Sequence, residues 1–143
     1  MFPKVLCPTD FSSVSAQAFS HMGHLRKAGT REVVLLHVID SRFFDFMFYD
    51  TQKSLDAETK LIEQAREKLE HKIRFIKDMG FAVKGRIETG FPSREILRVE
   101  EEEGVSLILI GSHGKSNIEG VLLGSVSEEV VRKAKGPVLV IKR

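Results

Sequence analysis

The apolar residues of this chain follow two periods. In the first pattern, short runs are apolar at nearly every position. These are Val5-Leu6-Cys7, Val33-Val34-Leu35-Leu36 with Val38-Ile39, Val105 to Ile110 broken only by Ser106, and Val138-Leu139-Val140-Ile141. Runs of this length, bounded by Gly, Pro or Asp, predict strands covered on both faces. Pro8 stops the first, Asp40 closes the second, and Gly104 and Gly111 bracket the third. A further run over residues 81–88 alternates more and predicts an edge strand. In the second pattern apolar residues recur at helical spacing. Ala18, Met22 and Leu25 predict a helix to about Ala28, with Ser12 and Ser13 as candidate caps and Gly29 as its end. Leu55, Ile62, Leu69 and Ile76 predict one long amphipathic helix over residues 51–79, packing one face on a sheet. Ile96, Leu97 and Val99 mark a third helix, preceded by a Gly90-Phe91-Pro92-Ser93 loop that supplies a cap, and residues 125–134 form a fourth.

Strands alternating with helices from end to end predict a single α/β domain over residues 1–143: a parallel sheet, right-handed crossovers, helices on both faces. Two segments stand outside this scheme. Residues 41–50 hold four phenylalanines and Tyr49, the only tyrosine, where a loop is ordinarily polar. These rings either cap the core under a long loop or face a partner. The other is Glu100-Glu101-Glu102-Glu103, an acidic run at a helix end where negative charge is unfavourable; its simplest reading is a solvated face.

Composition narrows the function classes. Lysine plus arginine number 22 against 20 acidic residues, a net charge of +2, which argues against a nucleic-acid surface built on bulk charge. No apolar run approaches the ~18 residues of a membrane span, and no signal-peptide core opens the chain; a cytoplasmic protein without a membrane partner is expected. Cys7 is the one cysteine. It excludes an intrachain disulfide, and its place at a strand end favours a small buried thiol over a redox role. No histidine has metal-ligand spacing once the elements are assigned.

The candidate chemistry lies after the most apolar strand. Gly111-Ser112-His113-Gly114 is followed, after nine residues, by Gly124-Ser125 and a helix. Strand, glycine-punctuated loop and helix N-terminus is an arrangement that presents backbone N–H groups to a phosphate. It also serves as a plain tight strand exit, and the spacing is neither a Walker loop nor a dinucleotide fingerprint.

The Gly-x2-Gly-x9-Gly-Ser spacing, together with Val5-Leu6-Cys7-Pro8-Thr9-Asp10 at one end and Gly136-Pro137-Val138-Leu139-Val140-Ile141 at the other, resembles the ATP-binding branch of the universal stress protein family. The resemblance implies a three-layer α/β/α sandwich with strand order 3-2-1-4-5, of the adenine nucleotide alpha hydrolase-like kind. The switch in strand order then falls between strands 1 and 4, so Thr9-Asp10 and Gly111 face each other across one crevice. It also implies Pro8 and Thr9 lining an adenine pocket, Asp10 on the ribose, and the backbone of Val38 on the adenine edge. Gly111, Ser112, Gly114, Gly124, Ser125, Val126 and Ser127 would then meet the phosphates, with Lys115 as a further candidate and Mg2+ or Mn2+ held mainly by the phosphates themselves. Asp10 is equally placed to cap the first helix. Asn117 stands where the family usually has glycine, Ser106 where it often has aspartate, and the 43–49 segment is bulkier than usual.

Three functions remain open at this point: an ATP-dependent sensor, a slow ATP hydrolase, or an interaction module that keeps the fold without nucleotide. Hydrolysis needs a positioned base and a metal-holding acid. His113 has no visible partner, and Glu119 is the one acid in the intervening stretch. The apolar last strand at a sheet edge predicts a homodimer paired there, as the resemblance also implies. A protein partner is expected but not identified.

Overall fold

The computed structural model describes residues 1–47, 51–112 and 123–142. In chain order the elements are β1 (Lys4–Pro8), α1 (Ser13–Ser20), α2 (Met22–Lys27), β2 (Glu32–Asp40), α3 (Arg42–Met47), α4 (Thr51–Asp78), β3 (Ala82–Gly90), α5 (Pro92–Glu103), β4 (Leu107–Gly111), α6 (Ser125–Lys133) and β5 (Val138–Ile141). The strands form one sheet in the order β3-β2-β1-β4-β5, every neighbouring pair parallel, as expected.

The all-apolar strands bury side chains on both faces, and the pleat sorts them into two cores. Val5, Cys7, Val33, Leu35, Leu107 and Leu109 point to one side, where they meet Phe19, Met22, Leu69 and Ile76 of α1, α2 and α4. Leu6, Val34, Leu36, Ile108 and Ile110 point to the other and meet Ile96, Val99 and Val130 of α5 and α6. Cys7 lies in the first core, where burial pushes its thiol up to about 12.

The structure departs from expectation in five places. The first helix is two: His21 breaks it with a tighter turn, its N–H bonding Ala18 O and its carbonyl accepting from His24. The phenylalanine segment is not a loop at its start but the short helix α3, begun by Asp40 Oδ1 accepting the Arg42 N–H at 3.0 Å. Phe44 there is buried while Phe43 stays 44% exposed; Phe48 and Tyr49 lie outside the described residues. In α4 the seven-residue stripe buries Leu69 and Ile76, whereas Leu55 is 53% exposed. Helix α5 starts at Pro92, with Phe91 as its N-cap, so Ser93 is not the cap; it is fully buried and donates to Glu129 Oε2 at 2.6 Å, tying α5 to α6.

The fifth departure is the acidic run, a solvated face only at Glu101 and Glu102. Glu100 is 6% exposed and accepts the backbone N–H groups of Lys135 and Gly136, each at 3.1 Å. Glu101 pairs with Lys135, Glu102 with Arg86 and Arg98, and Glu103 with Lys4, Lys84 and Arg86. The hydrogen bond from Lys84, then that from Lys4, hold the Glu103 carboxyl down at about 2 against burial. Apart from Arg98 of α5 itself, the cations come from β1, β3 and the α6–β5 loop, segments distant in sequence, which is why a linear reading sees mainly repulsion.

Candidate functional site

The strand order reverses at β1 and β4, and a cleft of about 610 Å³ opens beyond their carboxyl ends. That is within the usual range for small-molecule sites, roughly 300–1,000 Å³. Pro8, Thr9, Asp10, Val38, Gly111, Gly124, Ser125, Val126 and Ser127 all line it. Ser112 is buried directly behind Gly111. Gly114 and Lys115, with His113, Asn117 and Glu119, lie outside the described residues.

Unequal strand lengths shape one wall. Strand β1 ends its pairing with β2 at Pro8 opposite Leu36, yet β2 runs on through His37, Val38 and Ile39 to Asp40, paired there with β3. The Leu36 carbonyl faces the β1 side, where it accepts the Thr9 N–H at 2.8 Å. Peptide groups of a parallel strand alternate sides, so those of Val38 face the same way as those of Leu36, past the last ladder position of β1. The result is a donor–acceptor pair of backbone groups on the cleft side.

The β1 exit supplies the acid. Thr9 is buried, and its Oγ1 accepts the Phe11 N–H at 3.1 Å. Asp10 Oδ1 accepts the Ser12 N–H at 2.9 Å, a local turn of the kind that precedes helices. This bond occupies one oxygen; Oδ2 bonds no described residue. The two readings of Asp10, cap and cleft acid, are therefore compatible in one side chain.

The opposite wall is the β4 exit and the start of α6. Ser112 N–H bonds Ile141 O, and Gly124 N–H bonds Ser112 O at 2.7 Å, which brings the helix N-terminus back to the end of β4. Ser127 is buried and donates its hydroxyl to Gly111 O at 2.7 Å, locking the first turn of α6 onto the strand. The first-turn amides of any helix lack intrahelical acceptors, and Gly124 offers no side-chain cap for them. With φ at −69° and ψ at 164°, Gly124 has a backbone that any residue adopts. Glycine is thus not required at this lining position by backbone conformation.

Sequence reading missed the remaining walls. Helix α4 contributes Leu61, Gln64, Ala65 and Lys68, and α3 contributes Arg42 and Phe43. Only the i, i+3, i+4, i+7 spacing of the α4 residues carries any signal, and it is indistinguishable from an ordinary core-facing stripe. Arg42 is held bidentate by Asp40, whose carboxyl it draws below the usual range, and its guanidinium lies 4.4 Å from the Phe91 ring centroid. Phe11 and His37 also line the cleft; their rings stack at 4.4 Å.

Among the described helices none is long and apolar enough to cross a membrane. The chain matches the universal stress protein family over residues 1–142. It is 40% identical to universal stress protein MJ0577 of Methanocaldococcus jannaschii, the alignment covering 100% of this chain and 96% of that one. The solved structure of MJ0577 superposes with a TM-score of 0.92 at 42% identity, covering 100% and 97% of the two chains. Two more distant structures share the fold. One is a universal stress protein in complex with cAMP, with TM-score 0.68, 23% identity and coverage of 99% and 97%. The other is an Arabidopsis thaliana protein of this family with AMP bound, with TM-score 0.70, 21% identity and coverage of 98% and 91%. The family match over residues 1–142 and the full-length identity to MJ0577 together establish that this chain belongs to the universal stress protein family.

Proposed function

We propose that the cleft binds an adenine nucleotide, ATP with Mg2+ or Mn2+ held mainly by its phosphates, and that the protein acts in the cytoplasm as a nucleotide-dependent sensor or regulator of the stress response. The observation that carries this reading is the convergence of three unlike groups on one cleft at the strand-order switch. The Val38 peptide edge matches a purine's paired donor and acceptor. The Asp10 carboxylate matches vicinal hydroxyls. The uncapped start of α6 behind Gly124 matches a polyphosphate. AMP and cAMP in two distant relatives support the ligand class. Gly111, Ser112, Ser125, Val126 and Ser127 would hold the phosphates through their backbone, with Gly114 and Lys115 completing the set.

Binding is favoured over turnover. The donors are backbone groups, and Asp10, the acid of the β1 exit, is taken up in this reading by Ser12 through Oδ1 and by the ribose. Hydrolysis asks in addition for an oriented water and a group that stabilises the transition state. We place the homodimer contact on β5, an outer strand of the sheet.

The test is to release ligand from the purified protein, identify it by mass spectrometry, and then titrate ATP, ADP and AMP by calorimetry. Gly124→Val is expected to weaken all three, and Asp10→Ala to weaken them through the ribose. Absence of binding by every adenine nucleotide would leave the interaction-module reading. Steady-state turnover of about 1 s⁻¹ or more would make the protein an ATPase.

A further inference from the structure

The β1 exit holds a cluster that the proposed site does not use. Phe11 has φ of +64°, the only positive value at a non-glycine among the described residues. A bulky aromatic residue adopts the left-handed region only when its surroundings compensate. Here the ring stacks on His37 at 4.4 Å with 29° between planes, and the Lys68 ammonium of α4 lies 5.5 Å from its centroid. His37 reaches back from β2, its Nδ1 standing 2.8 Å from the Thr9 carbonyl oxygen. A carbonyl oxygen only accepts, so Nδ1 carries the proton. The contact thereby fixes Nδ1 as the donor nitrogen of the ring.

From these contacts we infer that His37 is a positioning residue for Asp10: its Nδ1–H bond to Thr9 O and its stack on Phe11 hold the Thr9–Asp10–Phe11 turn in the one conformation that aims the carboxylate into the cleft. The geometry leaves the turn little else. Thr9 is fixed on one side by its N–H to Leu36 O and on the other by His37. Phe11 is fixed by its ring and by its N–H to Thr9 Oγ1. Asp10 lies between two clamped neighbours, and its Oδ1 bond to Ser12 sets the carboxylate plane. Without the imidazole, Phe11 loses the partner that offsets its backbone strain, and it relaxes to negative φ. The peptide planes on either side of Asp10 then rotate. His37 thus acts on the ribose end of the ligand through the turn that carries Asp10. This role rests on the proposed nucleotide reading, but its structural half stands without ligand.

The experiment compares His37→Asn with His37→Leu in the full-length protein. An asparagine amide places an N–H where Nδ1–H stands; leucine keeps the apolar bulk and removes the donor. In nucleotide-free protein, amide exchange at Ser12 is expected to run about tenfold faster in H37L and close to wild type in H37N, the loss of one hydrogen bond. Labelled His37 in the wild type is expected to show the nitrogen shifts of the Nδ1–H tautomer. With ligand, H37L is expected to lose about tenfold in affinity for ATP, to keep its affinity for 2′,3′-dideoxyATP, and to add no loss in the Asp10→Ala background. H37N keeps both affinities. Should H37L fail to fold, His37→Gln, whose amide stands at the Nε2 position, replaces it with the same expected losses. Unchanged Ser12 exchange in the donor-less variant, or an Nε2–H tautomer, overturns the inference. So does an equal loss on ATP and the dideoxy analogue. If wild-type protein binds neither nucleotide, the nucleotide reading has failed, and Ser12 exchange and the tautomer still decide the role of His37.

Discussion

Glu100 offers the sharpest test of how this fold is held together. Its carboxylate is 6% exposed and accepts two backbone N–H groups, from Lys135 and Gly136, in the loop that feeds β5. Glu100→Ala removes both acceptors. Bonds to a charged acceptor contribute about 1.5–3 kcal/mol each. The donors sit on an exposed loop, however, so freed N–H groups find water, and the lower end applies. The expected loss is about 3 kcal/mol, a sizeable share of a typical stability of about 5–15 kcal/mol. Glu100→Gln keeps one acceptor but turns an amide NH2 toward the other N–H, for an expected loss of about 1–2 kcal/mol. Urea unfolding, followed by far-ultraviolet dichroism, should show both midpoints lowered in that order with an unchanged m-value. A solvated surface glutamate would instead stay within about 0.5 kcal/mol of wild type in both variants; that result would refute the clamp.

Further outcomes follow from the same geometry. Glu103 is held near 2 in the fold against an ordinary value of 4.5. The unfolded chain therefore takes up that proton first, and the contribution is fully present above about pH 4.5 and lost as pH falls toward 2. Urea midpoints measured down that range should decline less steeply in Glu103→Gln; parallel curves would contradict the network. Cys7, with its thiol raised to about 12 and buried, should resist iodoacetamide at pH 8 in native protein and react fully in urea; native alkylation would show that β1 opens. Leu139 on β5 and Val131 on α6 are 40% and 43% exposed beside the outer edge of the sheet. Light scattering of wild type at micromolar concentration should give a dimer, and of Leu139→Asp a monomer; a monomeric wild type would remove β5 as an interface.

The parallel sheet was legible because its signal is local and redundant. Continuous apolar runs at β1, β2, β4 and β5, and glycines at Gly29, Gly80 and Gly104 with positive φ, mark strands and helix ends without reference to the rest of the chain. The strand ends facing the cleft could be named from spacing and resemblance. Illegible features were those made by two distant segments meeting. The acidic run reads as repulsive until Lys4, Lys84 and Arg86 are brought to it. Ser93 reads as part of a capping loop until Glu129 of α6 stands opposite. Nothing about Phe11 in sequence announces its left-handed backbone, because the compensating ring, His37, is 26 positions away and on another strand.

Helix α4 is longer than the sheet it covers. Its 28 residues extend about 42 Å at 1.5 Å each, whereas the nine residues of β3 beneath it span about 30 Å. The helix runs against the strand direction, so the surplus of about 12 Å, some eight residues by the same rise, overhangs the carboxyl end of the sheet above the cleft. This accounts for exposed Leu55 and Thr59 and places Leu61, Gln64 and Lys68 at the cleft wall just where the overhang begins. Among the described residues the two apolar cores draw on α4 from Leu69 onward, while these first turns carry local bonds such as Gln52 with Asp56 and Thr59 with Leu55. They form the cantilevered end of an anchored beam. Loss of these turns would leave the sheet and both described cores in place.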